Sequence, residues 1–353
     1  MSQNESINQN TKRIATFDLL KVFAIYMVLW GHCISGFQDI PASHDCVYRI
    51  IYSFHMPLFM MIAGYFSTNS FKLDTKSFIT KKFRELLYPV IIWGVIFFAI
   101  NSIIRIIHNE SINAFYDLKA IYIKNLWFLK SAFICYIAAY FSLKKNSRKI
   151  LFVTLLLSQF VISHNLCIMY PAFCTGIILS QKKYLLNNKI VMMFTFSIFL
   201  LMLLFWNESY WVTEGMWPSP NMLNLFSTGD LSILTLYLDK GVYRIIIGLS
   251  GSIAIISIFN IYFHKYKNCF TQTAAIWGRY TLGTYIIQTY ILEYFLGSYI
   301  NMNNANYLLF HFIYTPFVSL SLLYVITHIV MLTYNSGTLS ILLWGITKKK
   351  IDR

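Results

Sequence analysis

Three residues able to hold charge or move a proton share one apolar stretch near the start of the chain. Asp18 and Lys21 stand three positions apart, and His32 follows eleven positions after Lys21. At 100° per residue, eleven positions end about 20° past three full turns, so all three point to nearly one side of a helix. A charged group near a bilayer centre costs at least ~2.5–3.5 kcal/mol on insertion scales, and such groups usually mark function. The stripe is therefore expected to face the protein interior. An imidazole titrates near neutrality and can take a proton from a hydroxyl, which suits His32 to general-base work. A histidine near a helix end can also simply reach the membrane interface.

A second polar cluster follows at Ser53-Phe54-His55-Met56-Pro57, then Ala63-Gly64-Tyr65. His55 lies about eight residues into its apolar stretch, and His32 about four from the end of its own, so their depths differ by ~6 Å. The two imidazoles are candidates for one cavity, or His55 for an interhelical hydrogen bond. Pro57 frees a carbonyl, a distortion tolerated where protein or cavity water surrounds it. Gly64 permits close backbone approach. Further polar groups in apolar stretches are Arg244, Arg279, Tyr285, Gln288 and Glu293. Arg279 and Glu293 fall roughly on one helix face but ~21 Å apart, too far to pair.

The elements that must position these groups are membrane helices. The chain has 353 residues, 57% hydrophobic and 12% charged, where soluble domains carry about 25% charged residues. The fold expected is all-α, a polytopic membrane protein with about ten transmembrane helices, forming one integral membrane domain over 1–353. The spans lie at 14–36, 47–67, 86–107, 125–143, 149–163, 166–181, 189–206, 242–263, 273–297 and 305–333. Residues 1–12 read as a polar tail and 334–353 as a C-terminal tail, with 338–346 too short to span. The first span is too long for a signal-peptide core and is read as uncleaved.

The net charge of +15 would fit a nucleic-acid partner, but it sorts by loop. With the N-terminus cytoplasmic, inner segments hold 20 of the 29 Lys and Arg residues, against six in outer segments and rims. That bias predicts both termini cytoplasmic and a multi-pass protein of the cytoplasmic membrane, with the lipid bilayer rather than nucleic acid as partner. The longest outer loop, 207–241, is either part of a substrate site or an interfacial loop anchored by its tryptophans. The six cysteines show no metal-type spacing, and no metal site is expected. Cys33 and Cys46 could pair on the outer side, though spacing does not fix connectivity.

The run Asp18-Leu-Leu-Lys21 to Gly31-His32 resembles the membrane-bound acyltransferase family 3, which includes bacterial polysaccharide O-acetyltransferases. The resemblance continues through FHMPLFMMIAGYF (54–66), the basic KKFREL-LYP (81–89), Leu126-Trp127-Phe128-Leu129, Tyr243-Arg244 and Arg279-Tyr280-Thr281-Leu282-Gly283. It covers about 13 to 330. It implies transfer of an acyl group, acetyl above all, from cytoplasmic acyl-CoA to a hydroxyl of a surface or lipid-linked carbohydrate. Acetyl-CoA would be a co-substrate, with no permanently bound cofactor.

The resemblance makes His32 the essential base or a transient acyl carrier, with Asp18 and His55 beside it as catalytic candidates. Family members often carry Arg eleven positions before that histidine. Lys21 keeps the charge but loses the two-pronged fork. The family also has an essential Arg before the third span, and Arg84 is the best match, with Lys81 and Lys82 adjacent. The loop 72–84 would then meet the anionic CoA, since phosphate prefers Lys and Arg. Trp127 is either a further donor contact or an interfacial anchor; Arg279, toward the inner side, is placed at the donor, and Glu293, toward the outer side, at the acceptor with Arg244 and Tyr285. Where members read Ser-Gly after the second span, this chain has Ala63-Gly64. Ten spans with buried charge also fit a proton-coupled transporter or flippase, although no inverted repeat stands out. A scaffold subunit would leave the charged first helix unexplained.

Overall fold

A computed structural model describes residues 2–38, 44–144, 148–160, 165–206, 231–263 and 269–346. All regular structure among the described residues is helical. The elements are α1 (Ser2–Phe37), α2 (Cys46–Ser67), α3 (Thr75–Lys82), α4 (Tyr88–Ile107), α5 (Ala114–Lys124), α6 (Trp127–Lys144) and α7 (Arg148–Phe160). They continue with α8 (Leu166–Gln181), α9 (Lys189–Leu204), α10 (Leu231–Tyr262), α11 (Cys269–Trp277), α12 (Thr281–Tyr290), α13 (Thr315–Asn335) and α14 (Gly337–Trp344).

Among the described residues five helical stretches are long and apolar enough to cross a membrane: Thr16–Phe37, Cys46–Ser67, Thr75–Ile107, Gly241–Tyr262 and Tyr307–Asn335. The pair α5–α6, bent by 57°, makes six if counted as one span. The stretches 149–158, 166–181 and 189–204 are apolar but shorter. The structure therefore supports a polytopic helical membrane protein, while ten crossings and the side of the termini stay readings of the sequence.

Three expectations change, and one open question is answered. The segment 72–84 is not a loop: a short 3-10 turn ends at Lys72, and α3 then runs through a π-helical turn (Phe83–Leu87) directly into α4. Asp74 starts α3 as its cap, accepting from the Ser77 amide at 3.1 Å, and hydrogen bonds from Ser77 hold its carboxyl below the usual carboxylate range. The predicted span 273–297 breaks at 278–280 into α11 and α12. At the break the α1 backbone packs directly on the chain: a Cβ on Gly278 would stand 2.2 Å from the Asp18 carbonyl oxygen of α1. Of the loop 207–241, residues 207–230 lie outside the described residues and 231 onward is helical. Cys33 and Cys46 are both free thiols, the first buried and the second exposed.

The polar tail expected at 1–12 is continuous with α1 from Ser2 onward. The tail after α13 folds back as α14, where Trp344 is buried 5.3 Å from the Trp93 ring, and Tyr88 donates to the Leu342 carbonyl at 3.0 Å.

The tightest crossing joins α2 to α8. Added Cβ atoms at Gly64 and Gly176 would lie 2.0 Å from the carbonyl oxygens of Phe173 and Met61. Small residues let helix backbones touch where no hydrophobic force draws them together in lipid. Gly64 thus makes the approach its sequence context suggests. On the other flank Gly248 of α10 accepts the ring of Pro57. α1 and α2 run antiparallel, because Lys21 lies 5.5 Å from the Phe66 ring while His32 lies 6.4 Å from Tyr52.

Candidate active site

Two polar clusters stand at opposite ends of the α1–α2 pair. At the first, Lys21 Nζ pairs with Asp18 Oδ1 at 2.7 Å. The i,i+3 spacing places both on one helix face. Asp18 is buried and its backbone is covered by Gly278, whereas about a quarter of the Lys21 side chain is exposed. The ammonium, held by the buried carboxylate, faces a cavity of about 290 Å³.

That cavity is lined by Lys21, by Met56, Phe59, Ala63 and Phe66 of α2, and by residues of α6 and α12 that include Phe128, Tyr136 and Tyr285. Phe128 meets Phe59 at 5.9 Å and Tyr285 at 5.8 Å, edge on in both cases. The α2 lining from Phe66 to Met56 spans ten residues, or ~15 Å of helix. The cavity therefore runs lengthwise along α2, from the Lys21 cluster to the residue next to His55.

At the second cluster, His55 is 2% exposed. Its Nδ1 lies 2.8 Å from the Ile51 carbonyl. A carbonyl only accepts, so Nδ1 carries the hydrogen and Nε2 keeps the lone pair. Tyr52 stands between the histidines, its ring 4.5 Å from that of His55 and 6.4 Å from that of His32, edge on to both. His32 is half-buried on α1. Arg244 of α10 enters from the far side and donates from Nη2 to the Tyr52 carbonyl at 3.2 Å. The two imidazoles lie within electrostatic reach of each other, and His55 within reach of the Arg244 guanidinium.

The sequence candidates thus fall into two groups. Lys21 and Tyr285 line the cavity, and Asp18 holds Lys21; His32, His55 and Arg244 gather around Tyr52 and stand outside the lining, where Met56 next to His55 is the nearest lining residue in sequence. Asp18 lies ~21 Å along α1 from His32 and positions the lysine rather than the histidine. In the basic segment Lys82 turns inward: it is 6% exposed, pairs with Glu85 at 2.9 Å and sits 3.9 Å from the centre of the Tyr136 ring. Arg84 and Lys81 are exposed and do not line the cavity. Arg84 follows Lys82 by 200°, which is the opposite face of a helix. Arg279 is exposed at the break between α11 and α12, whereas its neighbours Thr281 and Leu282 line the cavity. Trp127 is half-buried and outside the lining, where Phe128 takes the expected place. Glu293 lies in a π-helical turn, and its side chain is outside the described residues.

Sequence reasoning missed three positions. Tyr136 roofs the cavity and donates to the Ala63 carbonyl at 3.1 Å. Asp45 and His311 pair at 2.5 Å, both nearly or fully buried. Asp45 also caps α2 by accepting from the Tyr48 amide at 2.7 Å, and His311 Nδ1 lies 2.9 Å from the Tyr307 carbonyl. Both ring nitrogens of His311 therefore face oxygen acceptors, which fits a brace between α2 and the last long helix. The N-cap pattern of Asp45 before an apolar run was the available signal. Among the described residues no group of His, Cys, Asp and Glu could hold a metal ion.

A family model described as an acyltransferase domain matches residues 14–335. The nodulation protein NolL of Mesorhizobium japonicum is 28% identical over 185 residues, 48% of this chain and 48% of that protein. The chain therefore matches about half the length of this relative. No solved structure matches the chain.

Proposed function

The chain belongs to the acyltransferase-domain family, and from that membership we propose a membrane O-acyltransferase that takes acetyl from acetyl-CoA to a carbohydrate hydroxyl. The observation that carries the reading is the cavity running along α2 from Lys21 to Met56. It supplies an ammonium at one end and an apolar lining that reaches Met56, the residue after His55 in α2.

In this reading the phosphates of CoA stay near Lys21 and Lys82, at the end that gathers the basic segments. The thin thioester arm extends through the bore beside Phe59, Phe128 and Tyr285. Its length answers the ~16 Å that separates Lys21 from His32 along α1. The acceptor hydroxyl approaches at the histidine end. His32 takes its proton as the oxygen attacks the thioester carbonyl. The C–S bond then breaks, and the proton passes to the departing CoA thiolate, giving the ester and free CoA. His32 is assigned the base because it is half-buried and reachable, while His55 is enclosed behind Tyr52. A positioned base is worth about 10²–10⁴ in rate. His55, with its tautomer fixed by Ile51, orients the cluster.

The arrangement favours acyl transfer over transport, because the family is enzymatic and the cavity is small and mostly apolar with a single cation in its lining. The test is transfer of label from acetyl-CoA into glycan in membrane vesicles. Label that depends on this gene supports the reading. Unchanged glycan acetylation in a clean deletion strain refutes it.

A further inference from the structure

Arg244 carries more donors than its surroundings in the fold satisfy. The residue is 8% exposed, and its guanidinium lies 5.3 Å from the Trp206 ring. Nη2 is used by the Tyr52 carbonyl, but Nε and Nη1 are buried with no hydrogen-bond partner among the described residues. Arginine does not lose its proton in proteins, so the charge is permanent. The titratable groups within electrostatic reach are Tyr48, Tyr243, Cys167 and His55, and none of them is a carboxylate. The acids whose side chains are described are engaged elsewhere: Asp18 with Lys21, Asp45 with His311, Glu85 with Lys82, Glu110 and Asp117 with Arg105, and Asp74 at its cap; the side chains of Asp239 and Glu293 lie outside the described residues.

A buried permanent cation with two unused donors, within electrostatic reach of the His55 imidazole, is an anion receptor for which the described side chains supply no anion. The CoA phosphates have their own cations at the other end of the cavity. We propose that Arg244 receives a permanent anionic group, a carboxylate or a phosphate, carried by the acceptor beside the hydroxyl that is acylated. The proposal rests on the acyl-transfer reading and narrows its acceptor to an acidic carbohydrate.

The test uses the full chain in proteoliposomes with acetyl-CoA and two matched pairs of probes. Octyl glucuronide against octyl glucoside isolates a carboxylate, and glucose 6-phosphate against glucose isolates a phosphate. The wild type is expected to favour at least one anionic probe over its neutral partner by about tenfold or more in kcat/KM. The pair that shows the preference identifies the source of the anion. In R244Q that ratio falls to about one, and R244K, which keeps the charge, retains part of it. Binding is read separately by melting in nanodiscs. Glucuronate or inorganic phosphate raises the melting temperature of the wild type and not of R244Q. Equal use of both members of each pair by the wild type, survival of the preference in R244Q, or no thermal shift with either anion overturns the proposal. A rise confined to the KM for acetyl-CoA in R244Q also overturns it, by moving Arg244 to the donor. If no acceptor takes label, membrane glycan included, the acyl-transfer reading itself falls.

Discussion

Replacing Lys21 by Met keeps the apolar stem and removes the charge that Asp18 holds. At 2.7 Å and an effective dielectric constant near 20, the lost attraction is ~6 kcal/mol before desolvation is counted. Removing one partner of a buried pair costs about 3–5 kcal/mol, because the other charge stays buried and alone. A quarter of the Lys21 side chain meets solvent, so screening lowers the expectation to ~2–3 kcal/mol. The double variant Asp18→Asn, Lys21→Met leaves no unpaired charge and should recover most of the lost stability. Kinetics should not recover with it. If Lys21 contacts CoA phosphate, losing ~2 kcal/mol of donor binding raises the KM for acetyl-CoA about 30-fold in both variants. The assay pairs thermal melting of purified protein with acetyl-CoA titration in vesicles. A single variant that melts like the wild type would refute the buried-pair argument. A double variant with the wild-type KM would show that Lys21 only neutralises Asp18.

Other expectations follow from the packing. Gly64→Ala puts a Cβ 2.0 Å from the Phe173 carbonyl oxygen, so α8 must retreat; a loss of ~1–3 kcal/mol or more is expected, read as lower yield and melting temperature in detergent. Lys82→Ala should raise the KM for acetyl-CoA clearly more than Arg84→Ala, since only Lys82 turns inward; equal effects in vesicle assays would count against this orientation. Asp45→Asn removes the charge paired with buried His311 while still capping α2, costing ~3 kcal/mol in thermal stability; a variant as stable as the wild type would mean the brace carries little.

Much of the site could be read from spacing along single helices. The i,i+3 step from Asp18 to Lys21, the return to the same face at His32, and the close approach at Gly64 all follow from one helix at a time. What escaped reading depends on contacts between distant segments. Nothing near Gly278 announces that the Asp18 backbone, 260 positions earlier, will pack against it where the predicted span breaks. Asp45 and His311 meet across 266 positions. Lys82 rather than Arg84 turns inward through the helical register of the basic segment, where resemblance alone favoured the arginine. Phe128 replaces Trp127 in the lining for a similar reason. The strand of chain before it bends at Leu126, held at φ 54°, a backbone region rare for a bulky residue.

The central claim is that acetyl travels the bore along α2 and is transferred at His32. The most direct test is label transfer from acetyl-CoA to glycan in vesicles carrying His32→Ala at wild-type protein level. The account predicts a fall in kcat of at least about 10², with the KM for acetyl-CoA changed little, because the donor is held ~16 Å away near Lys21. Wild-type turnover in His32→Ala would contradict it.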